Sequence, residues 1–185
     1  AEVVSFDGSA PGQEVPPFGN SLGASWAWVL RTPAGLTKRE TVGRVILIPG
    51  QGFRGAIAAS NATGEQTAVL DFLEWLGTAP KECPPGSPLI LSFDSGVGVL
   101  IASGEWSGAS KPGLWVALLE AWSRAKALGY KLSRHWQPSH QKSVILSEAA
   151  EKDFVKRVWS GNARADLLAE ATRLSEKVAR DTVEG

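Results

Sequence analysis

The sequence predicts an α/β fold: a three-strand antiparallel meander, two further strands and flanking helices, making a five-stranded mixed sheet. Two patterns and one boundary condition predict it. Short strand-like runs follow one another early in the chain with only loops between them. Helical periodicity then alternates with apolar runs to the C-terminus. With 185 residues, 43 % hydrophobic and 21 % charged, the chain can bury a proper core as one domain spanning 1–185.

The elements follow in order. Glu2 to Asp7 reads as a first strand buried on both faces, and residues 10–23, rich in Pro and Gly, as a loop. Ser25 to Arg31 and Glu40 to Ile48 read as two more strands joined by a turn at Pro33-Ala34-Gly35. Pro49 to Ser60 is a Gly-rich loop. Ala68, Val69, Phe72, Leu73 and Leu76 recur at helical spacing, so a helix is expected over 62–77 with Asn61 as N-cap. The Pro-rich stretch 80–88 ends it, and Pro88 to Phe93 reads as a central strand. A short helix over 95–106 precedes another marked by Leu114, Leu118, Ala121, Trp122 and Ala125 and closed by Gly129. Tyr130 to Trp136 is the fifth strand. Ser147 to Trp159 is helical in composition, and Leu167, Leu168, Ala171, Leu174 and Val178 define a last helix.

Charge and cysteine content narrow the function classes. Nineteen basic and nineteen acidic residues cancel, so the chain as a whole is not a polycation seeking nucleic acid. Between Ser110 and Lys142, however, Lys111, Arg124, Lys126, Lys131, Arg134 and Lys142 face a single acid, Glu120, a local excess that suits either phosphate contacts or a solvated helix face. Cys83 is the only cysteine; it forms no disulfide within the chain, which favours a reducing, intracellular compartment, cytoplasm or nucleus. No apolar run approaches the roughly 20 residues of a membrane span. The absence of methionine and the start at Ala-Glu-Val-Val lead us to expect a domain cut from a longer polypeptide.

Four acids carry the chemistry. Asp7 and Asp94 follow apolar strand-like runs, and Glu65 and Asp166 lie near helix starts. Each has an ordinary alternative. An acid before Gly-Ser initiates turns, a strand-end acid caps a following helix, and a first-turn acid complements the helix dipole. If the two strands are neighbours, the four carboxylates can converge on one small volume, and such a cluster repels itself without cations, so it reads as a divalent-metal site. Ser9 and Ser95 have no triad arrangement, and His135 with His140 is too sparse for structural zinc. The eight Trp read mostly as core: Trp26 and Trp28 share a strand face, and Trp75, Trp115 and Trp122 fall on helices.

The order of these pieces resembles the type 1 ribonuclease H family. There a first strand ends Asp-Gly-Ser, as Asp7-Gly8-Ser9 stands here; a helix opens Asn-x-x-x-Glu, as Asn61 to Glu65; and a middle strand ends Asp-Ser, as Asp94-Ser95. A His follows the last strand with a Trp four residues ahead of it, as Trp136 and His140, and the last helix opens Asn-x-x-x-Asp, as Asn162 to Asp166. Each piece alone is weak; five in order over residues 2–178 are specific. The resemblance implies a ribonuclease H-like sheet and hydrolysis of the RNA strand of an RNA–DNA hybrid with two Mg²⁺ ions about 3.5–4 Å apart, Mn²⁺ being the alternative ion. Asp7 would bridge both ions, Glu65 and Asp94 would hold one, and Asp166 the other. His140 would assist proton movement or product departure, and Ser9, Asn61, Ser95 and Trp136 would contact the hybrid.

Three departures stand out. Residues 141–161 intervene between His140 and Asn162, where familiar members have only a few. Gly96 follows Asp94-Ser95 where Gln is frequent, and Ser107 to Gly113, carrying only Lys111, replaces the long basic loop of some members. These departures and the missing methionine suggest a retroelement or viral polyprotein domain working beside a reverse transcriptase domain in the same polypeptide, with a free-standing cellular ribonuclease H as the second context. A DNA-cutting integrase or resolvase on the same fold, and a non-catalytic nucleic-acid-binding module, are the competing functions.

Overall fold

The computed structural model describes residues 1–9, 24–46, 50, 54–55, 61–93, 97–105, 113–136 and 163–172. Five strands, β1 (Glu2–Ser9), β2 (Ser25–Arg31), β3 (Thr37–Arg44), β4 (Pro88–Phe93) and β5 (Lys131–Trp136), form one open mixed sheet in the order β3-β2-β1-β4-β5. Helices α1 (Asn61–Gly77), α2 (Val97–Ala102) and α3 (Gly113–Ala127) follow the meander, and residues 163–172 form a further helix, α4. The predicted α/β pattern is therefore the observed one. β1 and β2, and β2 and β3, pair antiparallel, the second pair across the short turn between Arg31 and Thr37; β1 pairs β4 and β4 pairs β5 in parallel, with helices in the connections that lead to β4 and β5.

Several bounds differ from expectation, each for a local reason. β1 runs past Asp7 because its ladder with β2 continues through Gly8↔Trp26 to Ser9↔Ser25, so Asp7 lies within the strand rather than at its end. β3 begins earlier and ends earlier than 40–48. The turn closes with Thr32 N–H donating to the Leu36 carbonyl at 2.9 Å, and the pairing with β2 stops at Ser25↔Arg44. α3 is closed as expected by Gly129. Its φ of +101° admits Gly without strain, and Tyr130 N–H reaches back to the Ala125 carbonyl at 3.2 Å. The last helix is described only from 163 to 172, and the expected 147–159 helix lies outside the described residues, as do Trp106 and Trp159.

The alternation of side chains divides the sheet into two unequal faces. Val4 and Phe6 of β1, Trp28 and Leu30 of β2, and Leu89, Leu91 and Phe93 of β4 share the main core with α1, α2 and α3. Phe72 of α1 is its centre: fully buried, it meets Phe6 edge-on at 5.7 Å and Trp28 edge-on at 5.2 Å between ring centroids. The Trp28 indole N–H donates to Asp71 Oδ2 at 2.7 Å, and Arg54 Nη2 holds Asp71 Oδ1 at 2.7 Å, so the polar edge of this core is paired. Val3, Ala27 and Val29 are buried outside that cluster, on the second face. Asp7, opposite Ala27, shares this face with Ser5, opposite Val29.

α4 covers the second face over β2 and β3. Its Ala165 and Ala169 are buried, Ser25 Oγ donates to the Ala169 carbonyl, and the Arg164 guanidinium forms a two-pronged pair with Glu40 at 2.8 and 3.1 Å. Glu40 lies opposite Val29 in the ladder, which confirms the side. Among the described residues, no helix is long and apolar enough to cross a membrane.

Truncating Phe72→Ala removes the ring shared by β1, β2 and α1, and should cost about 3–5 kcal/mol in urea unfolding with little change in m-value. A loss under about 1 kcal/mol would mean that the ring is not central to the core.

Candidate active site

Asp7 is 8 % exposed in the middle of the sheet, and its Oδ1 accepts the N–H of Gly8 at 2.9 Å. Glu65, on the first turns of α1, is 1 % exposed. Two acids this deeply buried are unusual, since an ionised carboxylate leaves water only at high cost unless hydrogen bonds or opposite charge compensate.

Close backbone packing brings together the segments that carry these two acids. A Cβ placed on Gly64 would lie 2.9 Å from Gly8 Cα and 2.7 Å from the Ser25 carbonyl oxygen, so the first turn of α1 rests directly on the chain following Asp7. On the other side of Glu65, the Gln66 backbone meets α2: a Cβ on Gly98 would lie 3.2 Å from Gln66 Cα. Ser25 also ties in the remaining element, for its hydroxyl donates to α4 one turn beyond Asp166. β1, β2, α1 and α4 therefore meet around Gly8, Ser25 and Gly64, each of β1, α1 and α4 bringing one expected acid.

Other expected residues are placed as follows. Asp166 is half-buried on α4, two residues from Arg164. Ser9 is half-buried and pairs with Ser25 at the end of β1. Asn61 heads α1. Trp136 ends β5 with 59 % of its surface exposed. Asp94, Ser95, His140 and the 141–161 insertion lie outside the described residues. Among the described residues, no group of three His, Cys, Asp or Glu side chains is placed to hold a metal ion. β4 ends at Phe93, the residue before Asp94, with Ser92 level with Ser5 of β1.

Sequence reasoning gave no site role to Gly64, Ser25 and Gly98, which lie at these close contacts. The available signal was glycine within a helical pattern, which costs helix stability and therefore asks for a packing reason. His135, weighed in sequence only as half of a sparse zinc pair, lies opposite Ser92 and so on the Asp7 face; burial lowers its imidazole pKa below the ordinary value. The basic excess over 110–142 is partly structural. Arg134 pairs with Glu105, and Arg124 and Lys126 occupy the last turn of α3, where cations oppose the helix dipole. Cys83 is buried, its thiol pushed up by desolvation, and its carbonyl accepts the Tyr130 hydroxyl at 2.6 Å; it is a packing residue, as its loop setting suggested.

This architecture, an open β3-β2-β1-β4-β5 sheet with helices on both faces, is the ribonuclease H-like fold. Solved structures similar to the chain include ribonuclease H domains. The N-terminal RNase H domain of Rv2228c from Mycobacterium tuberculosis, solved as a fusion with maltose binding protein, matches with a TM-score of 0.54 at 17 % identity, covering 95 % of this chain and 97 % of that one. LC11-RNase H1 in complex with an RNA/DNA hybrid matches with a TM-score of 0.57 at 18 % identity over 91 % and 93 %. The protease–reverse transcriptase of prototype foamy virus matches with a TM-score of 0.56 at 17 % identity, over 91 % of this chain and 20 % of that longer one. No protein-family model and no curated protein sequence matches the chain. At these identities the likeness establishes the fold.

Arg164 holds the Glu40 carboxyl below its ordinary value of 4.5 through their hydrogen bonds. A depressed acid contributes stability above its unfolded pKa and loses it as pH falls through the folded one. Glu40→Gln should therefore speed amide exchange in 163–172 at pH 7, and the difference from the parent should fade as pH drops below about 4.5. Equal exchange at pH 7 would show that the pair does not hold α4 down.

Proposed function

We propose that this chain is a divalent-metal-dependent endoribonuclease that hydrolyses the RNA strand of RNA–DNA hybrids. The observation that carries the reading is the burial of Asp7 and Glu65 on elements packed glycine against glycine, on a ribonuclease H-like fold. The donor set fits the ion: all four proposed ligands are carboxylates, hard oxygen donors that suit Mg²⁺, and Mn²⁺ as a substitute. Asp7 would bridge two ions, Glu65 and Asp94 would hold one, and Asp166 the other. When bound, the two ions supply Lewis-acid stabilisation of charge at the scissile phosphate and lower the pKa of the attacking water.

The chain's own groups do the rest. The buried backbone junction at Gly8 and Gly64 fixes Asp7 and Glu65, so their carboxylates need little reorganisation. His140 would carry a proton toward or away from the reacting oxygens. Ser9, Asn61 and Ser95 would hydrogen-bond the hybrid, reading 2′-hydroxyls in its shallow groove, and the exposed indole of Trp136 offers a stacking surface. A net charge of zero supplies little long-range attraction to a polyanion. The site therefore suits a domain carried by a reverse transcriptase in the same polypeptide, which the match to one fifth of the foamy virus protease–reverse transcriptase supports, and the single cysteine suits an intracellular setting. We place the activity on a single domain, with 141–161 as an insertion in it.

Cleavage of a labelled RNA–DNA hybrid with Mg²⁺ tests the reading, beside matched double-stranded RNA, double-stranded DNA and single-stranded RNA. Only the RNA of the hybrid should be cut. Asp7→Asn and Asp94→Asn should each lower the rate by more than the about 10²-fold that changes to outer partners of a metal ligand cost, while hybrid binding survives. Cutting of DNA would move the chain to the integrase or resolvase type. Hybrid binding without cutting, in Mg²⁺ and in Mn²⁺, would make it a binding module.

A further inference from the structure

We infer that Gly64 and Gly98 are positioning residues that set the place of Glu65 between β1 and α2. The inference rests on the nuclease reading above and extends it to residues that touch neither ion nor substrate. Glu65 stands between Gly64 and Gln66, and both neighbours are in glycine-sized contacts. A Cβ on Gly64 would meet backbone: the Ser25 carbonyl oxygen at 2.7 Å, Gly8 Cα at 2.9 Å and Gly8 C at 3.6 Å. No side-chain rotation relieves such an overlap. Carbon atoms rest about 3.5–4.0 Å apart, so an alanine there would force the first turn of α1 off β1 by about 1 Å. A Cβ on Gly98 would meet Val69 Cγ2 at 3.0 Å, Gln66 Cα at 3.2 Å and Gln66 N at 3.5 Å, a milder clash with a partly yielding neighbour.

Helix stability argues the same way. Glycine is among the weakest helix formers, and replacing it by alanine inside a helix ordinarily stabilises. Gly64 in α1 and Gly98 in α2 forgo that gain where the helices come closest to the chain beside Asp7 and to each other. Gly77, at the end of α1, is the contrast: its added Cβ would meet only the flexible Arg124 Cδ, at 3.3 Å. Along α1 the clearance is thus tight beside Glu65 and looser at the far end of the helix.

The test compares Gly64→Ala, Gly98→Ala and Gly77→Ala with the parent by three readouts: thermal melting, Mn²⁺ binding to the free protein by electron paramagnetic resonance, and kcat and KM on the hybrid with Mg²⁺. Gly64→Ala should weaken Mn²⁺ binding by about 10-fold or more and lower kcat by about 10²-fold, with KM near that of the parent. Gly98→Ala should shift both in the same direction by less, and Gly77→Ala should leave both unchanged. A folded Gly64→Ala protein that binds Mn²⁺ and turns over like the parent overturns the inference, even with a lowered melting temperature, because a purely structural glycine would behave that way. If Gly64→Ala does not fold, Gly98→Ala decides by the same two readouts. If the parent itself neither binds Mn²⁺ nor cuts the hybrid, the nuclease reading has failed and the inference falls with it.

Discussion

The arrangement of the proposed site depends on one close contact, the first turn of α1 laid against the backbone of β1 at Gly64 and Gly8 under the Ser25 carbonyl. Side-chain-mediated helix packing keeps axes about 8–10 Å apart and leaves room for small adjustments. Contact through two glycines leaves none. The residues flanking this contact, Asp7 on the strand and Glu65 on the helix, are therefore held by backbone rather than by the rotamers of intervening side chains. That is the degree of definition a pair of buried carboxylates needs if they are to share cations, because electrostatic catalysis depends on groups that are already in place.

The two faces of the sheet divide the labour. The face of Phe6, Trp28 and Leu91 meets three helices and a continuous aromatic and aliphatic core, and it supplies most of the burial. The face of Asp7 and Ser5 is smaller and more polar, with α4 docked over β2 and β3 by two alanines, the Ser25 hydroxyl and the Arg164–Glu40 pair. Exposed ion pairs contribute little to stability, and alanines bury little area, so α4 is held less firmly than α1. Asp166 is carried by α4. The acids on β1 and α1 are buried, Asp7 at 8 % and Glu65 at 1 % exposure.

The fold and the chemistry rest on different kinds of support. The fold is shared with solved ribonuclease H structures, and at 17–18 % identity the likeness speaks to architecture. A fold hosts many activities, so the nuclease reading stands on the site: buried carboxylates of a hard-cation type and the short motifs around them. The motifs and the packing are independent observations that bear on the same residues. Asp7-Gly8 looks like turn chemistry in sequence; in the sheet it lies within β1, where the missing Cβ of Gly8 admits a helix.

The sequence by itself determined the element types and their order, because alternation and helical periodicity record burial directly. The meander of β1 to β3, the α1 stripe of Ala68, Phe72 and Leu76, and the Gly129 stop of α3 were all legible, since each depends on neighbours a few residues away. It also nominated the acids, from short motifs that read the same in any context. Only the tertiary structure decided which face of the sheet Asp7 occupies, that β1 continues beyond it, that α4 lies over Ser25 and Glu40, and that Gly64 touches Gly8. Those facts arise from chain segments brought together across tens of residues, and a glycine's value there comes from the atoms it lets approach, which its own local sequence does not encode.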